Sequence, residues 1–132
     1  MSERANDPTP GRLELNRTLD APLLGIDLNA YLQQIKSEKT WKETDRNAIT
    51  VCKTNGMRIV LFALHQGAEL KRHTAQGVIS VQVLDGKIRF DTDGESMERS
   101  AGQMLMLHEK IPHSVLALEE SVFLLTLALQ SS

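Results

Sequence analysis

From Ala48 to Leu129 the chain alternates short apolar runs with two-residue turns, and that pattern removes most folds from consideration. Asn55-Gly56, Asp85-Gly86 and Asp93-Gly94 are pairs that tolerate the positive φ of a tight hairpin turn, and each is flanked by strand-forming residues. Ala48 to Lys53 and Met57 to Leu64 are predicted to form one hairpin, and Val78 to Leu84 with Lys87 to Asp91 another. Glu69 to His73, Ser96 to Ser100, Met104 to Leu107, His113 to Leu118 and Ser121 to Leu129 supply further short runs, the last two divided by the acidic turn Glu119-Glu120. Roughly eight or nine strands, about 8–12 residues apart, predict an all-β antiparallel sandwich or barrel rather than any α/β arrangement.

The chain ahead of the strands has a different character. Residues 1–12 contain Pro8, Pro10 and Gly11 with little apolar surface, which predicts a flexible tail. Asp27 then reads as a helix start, with Leu28, Leu32 and Ile35 on one face, so a short helix is expected over about Asp27 to Ser37. Three turns are marginal in isolation, and the apolar stripe is expected to pack on the outside of the barrel or on a partner. Trp41 follows as a packing anchor that ties the segment to the sheet. The expected division is a tail at 1–12, an N-terminal extension at 13–46 and a barrel at 47–132.

Composition narrows the function classes. With 132 residues there is one core's worth of chain, and with only 4% aromatic residues aliphatic side chains must fill it. A net charge of −2, with both signs interspersed, offers no footprint for nucleic acid or an anionic membrane. Cys52 is the single cysteine, so the chain can build neither an internal disulfide nor a Cys-rich zinc site. The N-terminus lacks the basic and apolar regions of a secretory signal, and the longest apolar run, Val122 to Leu129, is too short to span a bilayer. A cytoplasmic protein is the expectation.

The residues between Gly67 and Val115 carry a more specific pattern. Gly67 stands six positions before His73, Gly86 closes the same stretch, and Gly102 precedes His113 by eleven. This stretch resembles the cupin family of small β-barrels, whose first motif runs glycine, His-x-His, Glu, glycine and whose second runs glycine, Pro-x-Gly, His, Asn. Ala75 stands at the second His position and Ile79 at the Glu position; His108 and Lys110 replace the proline and glycine, and Ala117 the asparagine. The resemblance covers about Asn47 to Leu129 and implies a jelly-roll type antiparallel β-barrel with a short N-terminal helix. It looks most like the minimal single-domain bacterial cupins, which are often dimeric, and exposed sheet edges also lead to the expectation of a homodimer.

Family members hold their metal with three His and a Glu, because a divalent ion needs at least three protein ligands while positions stay open for chemistry. Here His73 and His113 supply two, and Ala75 and Ile79 can coordinate nothing. Ile79 instead continues an inward row with Val81 and Val83, which predicts a dry aliphatic cavity beside two imidazoles. His65, Glu69, Gln76 and His108 are the nearby candidates to complete a ligand set, though His65 and His108 read more simply as turn or surface residues. Lys71, on the strand face of His73, is expected to offer a cation to an acidic small molecule, or else to protect a solvated edge; Arg72 is expected to point away.

Three functions follow from these residues. The first is a metal-poor binding or sensory module holding a small molecule at His73, His113 and Lys71, with no cofactor expected. The second is a metal-dependent cupin enzyme of isomerase or oxygenase type, in which His73 and His113 with an unforeseen ligand hold iron, manganese, nickel or zinc. The third is an interaction protein with a solidly filled barrel, which requires that no cavity lie beside His73.

Overall fold

The computed structural model describes residues 18–129; the expected tail at 1–12, the first part of the 13–46 extension and residues 130–132 lie outside the described residues. Within them, helices α1 (Leu28–Ser37) and α2 (Lys39–Glu43) precede strands β1 (Arg46–Lys53), β2 (Met57–Leu64), β3 (Glu69–His73), β4 (Val78–Asp85), β5 (Lys87–Thr92), β6 (Ser96–Ser100), β7 (Met104–Leu107), β8 (His113–Ala117) and β9 (Ser121–Ala128). All pairings are antiparallel, in a five-stranded sheet ordered β1-β2-β9-β4-β7 and a four-stranded sheet ordered β3-β8-β5-β6. No helix among the described residues is long and apolar enough to cross a membrane.

Two of the three predicted turns close hairpins. Asn55-Gly56 joins β1 to β2 with Lys53 opposite Arg58, and the Thr54 hydroxyl accepts hydrogen bonds from the N–H groups of Gly56 at 3.1 Å and Met57 at 2.9 Å. Asp93-Gly94 turns β5 into β6, with the Thr92 N–H donating to the Glu95 carbonyl at 2.8 Å. Asp85-Gly86 does not close the expected hairpin: β4 and β5 lie in different sheets, their apolar rows facing each other across the core, and Gly86 alone carries the chain from one sheet to the other. Its φ is +83°, and a Cβ there would lie 2.2 Å from the Glu120 carbonyl oxygen, so only glycine fits.

Strand alternation sends one set of side chains between the sheets and the other outward. Val60 and Phe62 of β2, Ile79, Val81 and Val83 of β4, and Phe123 and Leu125 of β9 meet Ile88 and Phe90 of β5 and Val115 of β8 in the interior. The Ile79, Val81, Val83 row is therefore inward, as its spacing predicts. The outer faces of β1, β2 and β9 are apolar too, and Ile49, Val51, Leu61, Ala63 and Val122 form a second core with Ile35 and Trp41. This explains why β1 and β2 read as continuous apolar runs: both of their faces are covered.

The expected helix is α1, capped by Asp27, whose side chain accepts from the Ala30 N–H at 3.2 Å. It packs on the outside of the five-stranded sheet, with Ile35 fully buried. A second helix, α2, follows; its five residues are too few to show a helical period in sequence. It carries Trp41 against the sheet, where the indole stacks on the His65 ring at 3.5 Å between centroids.

Candidate functional site

His73 ends β3 and His113 opens β8, and the strand register sets them opposite each other. Leu70 lies opposite Val115 in the same pairing, so β3 spends one extra residue, a β-bulge, between Leu70 and His73. Strict alternation from Lys71 is thus not what positions His73. The bulge brings Leu70 and His73 to the cavity, and Lys71, exposed between them, also reaches its lining. Arg72 points away, as expected, and pairs with Asp93, its Nη2 lying 2.8 Å from Oδ2.

Each imidazole is oriented by backbone two residues upstream. His73 Nδ1 donates to the Lys71 carbonyl at 2.7 Å, and His113 Nδ1 to the Ile111 carbonyl at 2.9 Å. A carbonyl oxygen can only accept, so each neutral ring carries its proton on Nδ1 and a lone pair on Nε2. The ring centroids are 4.3 Å apart with a tilt of 58°, and Phe90 lies nearly parallel to His113 at 5.2 Å. His113 is only 3% exposed, whereas His73 is open to solvent. Burial pushes the His113 imidazole below its ordinary value; the Ile111 hydrogen bond opposes that shift and the neighbouring His73 adds to it.

The two histidines stand in the wall of a cavity of about 260 Å³, enclosed by apolar side chains that include Phe62, Val81, Phe90, Phe123 and Leu125. Arg46 of β1 and Lys71 of β3 line it as well. Those strands are the edges of the two sheets, so the cavity opens at the seam between them. Arg46 crosses that seam, donating from Nη2 to the Glu69 carbonyl at 2.7 Å, and pairs with Asp45 at 2.9 Å. Lys71 has no ion-pair partner among the described residues, which leaves its charge available to a ligand.

The residues present do not fit a firmly held metal. Behind the histidines lies a void of only about 10 Å³, walled by Ala75, Ile79, Leu125 and Leu127. Ala75 and Ile79 are both buried there and offer only carbon. Among the described residues no three His, Cys, Asp or Glu come together in a way that could hold a metal ion. His65 is taken up on the outer face, its Nε2–H donating to the Trp41 carbonyl at 2.9 Å, and His108 is exposed beside Glu109. Glu69 and Gln76 are exposed on the surface. Two imidazoles facing aliphatic carbon fall short of the three ligands that hold a divalent ion.

Solved structures show the same architecture. A cupin superfamily protein from Desulfitobacterium hafniense superposes with a TM-score of 0.64 at 15% identity, over 67% of this chain and 81% of the other. A cupin-2 domain protein from Shewanella frigidimarina gives 0.63 at 15% identity, over 78% and 93%. This chain has the cupin fold. A conserved Streptococcus pyogenes protein of unknown function matches at 0.66 and 22% identity, over 90% of this chain and 99% of that one. No protein-family model matches the sequence, and no curated protein sequence does either.

In this cupin barrel the backbone of both motifs is kept while the ligand chemistry is not. Gly67, Gly86 and Gly102 all have positive φ. Lys110, at the position the second motif gives to glycine, keeps the glycine conformation with φ +64°, the one such non-glycine residue among those described. Its N–H donates to the Ala75 carbonyl at 2.9 Å and ties the two loops at this end of the barrel together. His73 and His113, singled out by their spacing in the sequence, do come together at the cavity. That spacing gives no sign of Arg46 or Phe90 at the cavity, because each arrives from a strand distant in sequence.

Proposed function

We propose that this cupin barrel binds a small organic acid, in a binding or sensory role, and does so without a resident metal. The observation that carries the reading is a pair of imidazoles whose Nδ1 protons are spent on backbone, in the wall of an apolar cavity of about 260 Å³. Free Nε2 lone pairs accept from a hydroxyl or amide of the ligand, Lys71 attracts its carboxylate at the mouth, and the walls take an apolar body. The cavity counts against the filled-barrel reading, which requires packed side chains beside His73.

Mandelate has this distribution of groups and serves as a probe, with phenylacetate lacking the hydroxyl and mandelamide the charge. Calorimetry is expected to show mandelate binding more tightly than either, with a loss of about tenfold in His73→Ala, the size of one good hydrogen bond to an imidazole. Elemental analysis of untagged protein tests the competing metal-dependent isomerase or oxygenase. Stoichiometric iron, manganese, nickel or zinc, lost in the His73→Ala, His113→Ala double variant, would sink the metal-free reading.

A further inference from the structure

A second and larger cavity, about 340 Å³, lies on the opposite side of the barrel from the mouth of the histidine cavity. Its lining comes from Phe90 and Thr92 of β5, Met97 and Arg99 of β6, and Leu105 to Leu107 of β7, with Glu95 and Ile111 from the adjoining loops. β6 and β7 are the remaining edges of the two sheets, so this chamber opens at their seam. Phe90 lines both cavities and stands between them. We propose that the β6/β7 seam is a second ligand site, distinct from the histidine cavity, that takes an aliphatic monocarboxylate with its acid group on Arg99.

Arg99 is built into the chamber. Its Nε donates across the seam to the Met104 carbonyl of β7 at 3.0 Å, and its Nη1 donates to the Glu98 carbonyl of β6 at 3.0 Å. Both acceptors are neutral, so the guanidinium is fixed in place with its charge unneutralised, and Nη2 is left over for a ligand. Its one acidic neighbour in the lining is Glu95, in the loop just ahead of β6 and four residues before Arg99, about 13 Å along the chain by strand rise. That separation gives the chamber a direction. β7 runs from Met104, beside Arg99, to Leu107, so a carboxylate at Arg99 extends its chain over the apolar lining of Met97, Leu105 and Leu107. The volume lies within the roughly 300–1,000 Å³ of small-molecule pockets.

The same contacts oppose a macromolecular occupant. The Ser100 N–H is capped by Gln103 Oε1 at 2.8 Å and the Glu98 carbonyl by Arg99, so the free edge of β6 is not bare for another strand. Met104 and Met106 are more than half exposed at the rim, as expected of an opening through which an apolar chain enters.

Methionine-methyl NMR reads this site directly, because Met97 and Met106 line the chamber and Met57 lies on β2, away from it. The probes are octanoate and its neutral analogue octanamide. Octanoate is expected to shift the Met97 and Met106 signals saturably, to leave Met57 in place, and to bind about tenfold tighter than octanamide, reflecting a charge-assisted pair. Arg99→Gln is expected to abolish that preference. Ile111→Trp, which leaves the Arg99 contacts intact, is expected to block both probes, and His73→Ala to change neither. Equal affinities for the two probes, no saturable shift in the millimolar range, or shifts insensitive to Ile111→Trp would overturn the proposal. So would movement of the Met97 and Met106 signals on dilution without ligand, which would mean that a second copy fills the seam. If Arg99→Gln fails to fold, the octanoate and octanamide comparison in the natural sequence still decides.

Discussion

His113 is held against Phe90 and His73 at 3% exposure, and burial makes its imidazole harder to protonate in the folded chain than in the unfolded one. The charged groups around the same cavity, Lys71 and Arg46, do not reverse that sense, since each is a cation. With an ordinary value of 6.5 in the unfolded chain, the unfolded state takes up the proton first as pH falls. Stability attributable to His113 is therefore flat above that value, declines as pH drops through it, and stops declining once the lower folded value is passed. Urea midpoints measured stepwise from neutral pH to about pH 5 are expected to fall in the natural chain and to fall less in His113→Gln. An unchanged slope in the variant would assign the effect to other groups. Asp45, Asp91 and Asp93, held low by Arg46, Ser96 and Arg72 respectively, lose their contribution only as pH falls through and below 3.8, outside this window.

At the scale of elements, the N-terminal helices act as a clasp on the back of the five-stranded sheet. Ile35 is fully buried against β1 and β2, Asn47 of β1 donates to the Ile35 carbonyl at 2.9 Å, and Lys36 reaches Glu120 at 2.8 Å. The Trp41–His65 stack closes the same layer. The burial of Ile35 outweighs the exposed ion pair: removing it leaves a cavity worth about 2–5 kcal/mol, whereas a surface pair contributes roughly 0–1 kcal/mol. Ile35→Ala is expected to lower the urea midpoint by an amount equivalent to about 2–5 kcal/mol, and Lys36→Ala to leave it nearly unchanged. Trp41 fluorescence follows both transitions, and comparable losses in the two variants would refute this ranking. The bulge in β3 is the other element-level device, since without it His73 would not meet His113.

Considered as a whole, the molecule protects the four sheet edges that motivated the expectation of a homodimer. The Leu19 carbonyl accepts from the Lys53 N–H along β1, β3 is charged and bulged, β6 is capped by Gln103 and Arg99, and β7 is four residues long. Such features are how natural sheets discourage strand addition. The expected homodimer is accordingly one that meets through a face rather than by strand addition, and light scattering at micromolar concentration is expected to give about twice 14.7 kDa. A monomer mass would overturn that expectation.

Strand number, turn positions and the glycine frame of the barrel are all legible in the sequence, because they depend on local chemistry: alternation for burial, positive φ for Gly67, Gly86 and Gly102. So is the replacement of two of the family motif's ligand positions by Ala75 and Ile79, which needs only the identity of two residues. The cavities are different. Phe90 lines two chambers, Arg46 reaches Glu69 across one seam and Arg99 spans the other, and no local signal could announce any of this. Only the tertiary structure decides it, because these contacts join the edges of two separate sheets and exist only once the sheets face each other.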